Sequence, residues 1–115
     1  MNSEALDRAF AACSHPIRRA ILERLAECEL SVGEATHDLA VTKPAITKHL
    51  KVLEEAGAIV RVVDGRRHRL ALAPAPLHEA RAWIAAQERL WQRKFDVVEQ
   101  YLQEQAQIDP REEPS

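Results

Sequence analysis

A mainly α-helical domain with one small β-hairpin is the fold class this sequence predicts, and three stretches predict it. Two short helices, opening at Ser31 and Thr42, stand almost back to back. A β-branched run, Ile59 to Val63, leads through Asp64-Gly65, a two-residue hairpin turn, into a return strand from Arg67 to Ala73. Near the C-terminal end Leu77, Ile84, Trp91 and Val98 recur at a spacing of seven. Together these make a winged helix-turn-helix, expected to form a homodimer through its terminal helices.

The chain opens with Ser3 to Cys13, where Leu6, Phe10 and Cys13 share a helical face with Ala9 beside them. Ser14-His15-Pro16 interrupts this helix. Pro16 suits the first position of a second helix running to about Cys28, on a stripe of Ile17, Ala20, Ile21, Leu22, Leu25 and Cys28. Ser31-Val32-Gly33-Glu34 has the spacing of a capping box and opens a helix whose apolar side is Val32, Ala35, Thr36 and Leu39. Only Ala40 and Val41 then precede Thr42.

Thr42 can cap the next helix through its hydroxyl, and Pro44 fits a first turn whose N–H groups have no intrahelical partner. Ile46, Leu50 and Leu53 form its apolar stripe, while Lys43, Thr47, Lys48 and Lys51 collect on the opposite side. Gly57 tolerates the left-handed conformation that ends such a helix. A lysine-bearing polar face is common on any surface helix. Here it belongs to the second helix of a helix-turn-helix, the one that enters a DNA major groove with its N-terminal residues foremost. Thr42, Lys43, Pro44, Ala45, Thr47, Lys48 and Lys51 are therefore candidate DNA contacts. Lysine can donate to guanine O6 and N7, and threonine can offer a hydroxyl to a base edge or a methyl to thymine. Arg66 and Arg67, in the hairpin, are candidates for phosphate.

Pro74-Ala75-Pro76 stops the return strand, because proline donates no ladder hydrogen bond, and starts a final helix over about residues 76–106. A helix of roughly 28 residues is about 42 Å long, more than one face of a small domain covers. Leu77, Ile84, Trp91 and Val98 are thus expected to meet a second copy, with Leu6 and Phe10 of the first helix alongside. Residues 1–106 read as one winged domain including this dimerisation helix, and 107–115 as a flexible tail without a core to join.

At 115 residues and 46% hydrophobic, the chain has the composition of a single globular domain. No apolar run approaches the roughly 18 residues needed to span a bilayer, and no signal-peptide pattern opens the chain, so a cytoplasmic protein without a membrane partner is expected. Cys13 and Cys28 are too few for a disulfide scaffold and are expected as reduced thiols. The formal net charge is −2. Its distribution is uneven: from Thr42 to Ala75, Lys43, Lys48, Lys51, Arg61, Arg66, Arg67 and Arg69 stand against Glu54, Glu55 and Asp64. A positive stripe on an acidic body is the footprint of a specific DNA binder.

Three stretches, HPIRRAILERL, ELSVGEATHDLAVTKPAITKHLKVLEEAGAIV and DGRRHRL, resemble the arsenic-repressor (ArsR-type) family of winged-helix transcription regulators, in register from about Leu6 to Leu77. The terminal helix resembles the branch that carries tryptophans there. The resemblance implies a homodimeric repressor on an inverted-repeat operator in double-stranded DNA, with recognition helices in successive major grooves and wings against the flanking backbone. It also implies release by an effector, which it does not identify, and an accessory DNA contact for His49.

Metal sensors of that family place Cys-x-Cys where this chain has Ser31-Val32-Gly33, or Asp-x-His near the start of the terminal helix, where His78 and Glu79 stand alone. Zinc or a thiophilic ion needs three or four converging ligands, so no metal and no cofactor is expected. His15, His37 and His68 have no ligand-spaced companion and read as structural or solvated. Without a Gly-rich phosphate loop, a His-Glu-x-x-His helix or a nucleophile elbow, no catalytic residue and no enzyme activity are expected. Two alternatives differ in kind. One is a winged helix serving as a protein-interaction module, which should have lost its basic face; the other is a thiol-based redox sensor acting through Cys13.

Overall fold

The computed structural model describes residues 3–107. In chain order its elements are α1 (Ser3–Cys13), α2 (Pro16–Glu27), β1 (Leu30–Ser31), α3 (Val32–Thr36), α4 (Lys43–Glu55), β2 (Ile59–Asp64), β3 (Arg67–Leu72) and α5 (Ala75–Gln107). They divide into two compact units, one through Arg81 and one from Ala82 onward. The expected tail falls, beyond Gln107, outside the described residues.

Local chemistry sets the helix starts. His15 caps α2, its Nδ1 accepting the N–H of Ile17 at 3.1 Å, with Pro16 in the first turn. Ser31 and Glu34 form a reciprocal capping box on α3, each bond 3.1 Å long. Hydrogen bonding by Ser31 to the carboxylate, from its backbone N–H first and its hydroxyl second, holds the Glu34 carboxyl below its ordinary pKa. Thr42 accepts the N–H of Ala45 at 3.3 Å and caps α4, with Pro44 in its first turn.

The end of α4 is a Schellman motif. Gly57 donates to the Glu54 carbonyl at 2.9 Å and Ala58 to that of Leu53 at 3.0 Å, with Gly57 at φ 72°. That reversal sends the chain directly into β2.

The sheet is antiparallel in the order β1-β3-β2. Ile59 pairs with Leu72 and Asp64 with Arg67, so the two loop residues are Gly65 and Arg66, one position later than the expected Asp64-Gly65 turn. Gly65 alone of the pair has positive φ, at 61°, as a loop with glycine in its first central position requires. Strand β1 was not foreseen. Two residues are too short to show alternation, and only the pairing of Leu30 with Leu70 and Ser31 with Arg69 makes them a strand.

The core sits where α2, α4 and the sheet meet, around the fully buried Ile21, Leu53, Ile59 and Leu70, with Leu22, Leu25 and Leu50 beside them. The expected α4 stripe is in place, with Ile46 half-buried at its N-terminal end. Two details differ from expectation. Cys28 is exposed, because the backbone leaves helical geometry there, at φ −168°. Helix α3 stops at Thr36, short of Leu39: Asp38 takes φ 59°, and Arg24 of α2 donates to the carbonyls of Ala35 at 3.2 Å and His37 at 2.7 Å, capping the helix end. Leu39 still packs on the core from non-helical backbone.

Gly57→Ala should cost about 1 kcal/mol or more, because Cβ penalises the left-handed region; the cost is conformational and not steric, since an added Cβ meets the Pro76 ring at 3.8 Å, an ordinary contact distance. Gly33→Ala, at ordinary helical φ, should be neutral or stabilising by a few tenths. Urea denaturation of both variants checks the contrast, and equal effects would remove the conformational explanation.

Candidate nucleic-acid interface

With Leu50 and Leu53 fixed in the core, helical geometry turns the opposite side of α4 to solvent. Thr42, Lys43, Pro44, Thr47, Lys48 and Lys51 are all exposed, and Ala45 is half-buried. Thr47 Oγ1 donates to the Lys43 carbonyl at 3.2 Å, so its proton is spent within the helix, while its oxygen can still accept. Arg66 and Arg67 are exposed at the wing loop.

The basic residues of the central segment divide by partner. Arg61 on β2 binds the Glu54 carboxylate of α4 at 2.6 Å, tying the wing to the helix. Arg69 on β3 bridges to Glu29, through the carboxylate at 2.9 Å and the backbone carbonyl at 3.1 Å. Lys51 lies 3.9 Å from Glu55, a loose exposed pair of little weight. Among the described residues, Lys43, Lys48, Arg66 and Arg67 have no carboxylate partner, and their charge is available to an external anion.

His49 sits differently from its lysine neighbour. It is half-buried, with its ring 4.4 Å from that of His15 and its Nδ1 3.0 Å from Nη1 of Arg18. The same guanidinium donates to the Ala11 carbonyl at 2.9 Å and to the Ser14 hydroxyl at 2.8 Å. Arg18 thus joins the end of α1, the α1–α2 link and α4. Sequence reasoning missed this junction, since nothing local relates Arg18 to a residue 31 positions away. Burial first, then the charges of His15 and Arg18, holds His49 below its ordinary pKa.

The residues expected at a dimer contact divide between the two units. Leu6, Phe10 and Leu77 are half-buried in the first. In the second, Ile84, Trp91 and Val98 share the exposed apolar side of α5 with Phe95 and Leu102; Trp91 is 58% exposed and Phe95 67%. Cys13 is a half-buried free thiol. Among the described residues no three His, Cys, Asp or Glu side chains converge as metal ligands, and no helix is long and apolar enough to cross a membrane.

Known proteins are similar to this chain in sequence and fold. A helix-turn-helix domain family matches residues 14–63. The HTH-type transcriptional regulator Rv2034 of Mycobacterium tuberculosis is 38% identical over 96 residues, which span 84% of this chain and 87% of that protein. The transcriptional repressor SdpR of Bacillus subtilis is 28% identical over 79 residues, 69% of this chain and 88% of the repressor. A crystal structure of an ArsR family transcriptional regulator, RHA00566, superposes with a TM-score of 0.71 at 33% identity, over 76% of this chain and 97% of that one.

The His49 junction carries a pH dependence of stability. Its pKa is depressed on folding, so between the folded value and the ordinary 6.5 the unfolded chain binds more protons, and stability rises with pH across that window. Acidification from about pH 7.5 to about pH 5.5 should destabilise the wild type more than His49→Gln, which has no proton to gain. Parallel urea titrations at the two pH values check this, and identical losses would show that His49 is not the responsible group.

Proposed function

This chain belongs to the ArsR-type family of helix-turn-helix transcriptional regulators, and from that membership we propose a repressor that grips an inverted-repeat operator as a homodimer and leaves it on binding an effector. The observation that carries this reading is the pairing pattern of its cations. Lys43, Lys48, Arg66 and Arg67 are exposed without a carboxylate among the described residues, on a helix and a wing that Arg61 and Glu54 hold together. A protein-interaction module would have no use for that surface.

In this reading Lys43, Thr47 and Lys48 face base edges and Thr42, Pro44 and Ala45 pass close to the strand at the helix entry. Lys51, Arg66 and Arg67 meet phosphate. His49 acts from inside, holding α4 through Arg18, and touches DNA only as an accessory. The dimer supplies the spacing: two recognition helices must sit about 34 Å apart to reach successive major grooves. The exposed apolar side of α5, from Ile84 through Trp91 to Val98, is the surface that a second copy would cover; Leu6, Phe10 and Leu77 of the first unit are assigned to contact with that copy as well.

Three measurements test these assignments. Lys48→Ala should lose about 1 to 3 kcal/mol on the operator and relax preference at one position; equal loss on random DNA would remove it from base readout. Arg67→Ala should lower the slope of log affinity against log salt by about 0.9 per subunit while leaving sequence preference intact. An unchanged slope would place the wing away from DNA. Trp91→Asp puts a carboxylate into the contact, at a cost of several kcal/mol if the site is dry. It should sediment as a folded monomer and lose operator affinity; a dimer at micromolar concentration would relocate the interface.

A further inference from the structure

Beside the DNA-facing side of α4 lies a half-open groove of about 540 Å³, between α3, α4 and β2. The volume is in the range of small-molecule sites. Val32, Ile46 and Leu50 form its apolar walls. Thr36 and Thr47 also line it, but both hydroxyls are already donated to carbonyls of their own helices, to Val32 at 2.7 Å and Lys43 at 3.2 Å. Their oxygens can still accept, but neither has a proton left to give an occupant. Two cations stand at the groove, Lys43 and Arg61, and no carboxylate is among its lining residues. Lys43 has no acidic partner among the described residues. Arg61 uses Nη2 toward Glu54 and keeps further N–H donors of its five.

We infer that this groove binds a small amphipathic monoanion, an apolar body seated against Val32, Ile46 and Leu50 with its carboxylate between Lys43 and Arg61. Charge decides the class: with Glu54 counted against Arg61, Lys43 leaves one net positive charge at the groove, which favours one anionic head, and walls whose hydroxyl protons are already given away offer a polar body no donor. Occupation would take Lys43 and cover the Thr47 methyl, two groups placed above at the bases. Ligand and operator therefore exclude one another, and the groove is an effector site built into the reading surface. This consequence rests on the proposed role of α4; the binding itself does not.

The probe is 2-naphthoate, with uncharged 2-naphthalenemethanol as its comparator, followed by backbone amide NMR of the full chain without DNA. Shifts should centre on Val32, Gly33, Thr36 and Thr47 for naphthoate and be much weaker for the alcohol. Arg61→Gln should weaken naphthoate about tenfold, the loss expected when a charged hydrogen-bond donor is removed. Gly33→Leu should fill the groove without strain, since Gly33 has ordinary helical φ and only the Ser31 hydroxyl within 4 Å of an added Cβ, at 3.9 Å. That variant should lose naphthoate and still bind a duplex enriched from random-sequence DNA. In the wild type, naphthoate should raise the apparent dissociation constant for that duplex in proportion to its concentration. Shifts confined to residues of α5, equal binding of the alcohol, or unaltered binding to Gly33→Leu would each overturn the site. Naphthoate shifts in the groove together with unaltered duplex affinity would overturn the exclusion. A Lys43→Ala variant with wild-type duplex affinity would instead mark a failure of the DNA assignment alone.

Discussion

A helix with one apolar side can keep its other side in water only if the buried side has a single surface to meet. For α4 that surface is the cluster of Ile21, Leu25, Ile59 and Leu70, against which Leu50 and Leu53 are buried. Turning α4 by one residue, about 100°, would expose Leu53 and drive Lys48 or Lys51 toward the core without a partner. The exposure of every polar residue on the helix follows from that one packing choice. Both ends of α4 are then closed: Thr42 satisfies an N–H at the start, and Gly57 and Ala58 satisfy carbonyls at the finish.

The neighbouring helix α3 depends on its surroundings more than on itself. Five residues cannot hold a helix in water, because nucleation costs more than one or two bonds return. Its N-terminus is satisfied from within, by the Ser31 and Glu34 box, but its C-terminus is satisfied by Arg24 reaching across from α2. Ala35 is fully buried at the same contact. The turn that separates the two helices of the motif is therefore fixed by α2, through side-chain hydrogen bonds rather than by its own sequence.

Charge is divided between architecture and recognition. Arg18, Arg24 and Arg69 spend their guanidinium groups inside the domain, on carbonyls, a carboxylate and an imidazole spread over α1, α3, α4 and the link before β1, and Arg61 commits one nitrogen to Glu54 of α4. Arginine suits this task, since its planar fork can satisfy several acceptors at once. The cations of α4 and the wing loop are left to solvent. Counting basic residues along the sequence could not separate these two populations, because the carboxylates that claim Arg61 and Arg69 lie 7 and 40 positions away.

The sequence by itself determined the order of the helices and of the two hairpin strands, the caps at Ser31 and Thr42, the reversal at Gly57 and the apolar stripe of α4. Each of these is a local matter of propensity, periodicity or a hydrogen bond spanning three or four residues. It also marked Lys43, Thr47 and Lys48 as a common exposed side, for the same reason. Only the tertiary structure decided that β1 exists, that α3 stops at Thr36, that the wing loop is Gly65-Arg66, and that His49 turns inward to Arg18. Those outcomes turn on partners 11 to 40 residues distant, or on a one-residue strand register, and long-range contacts of that kind leave no periodic trace in the chain.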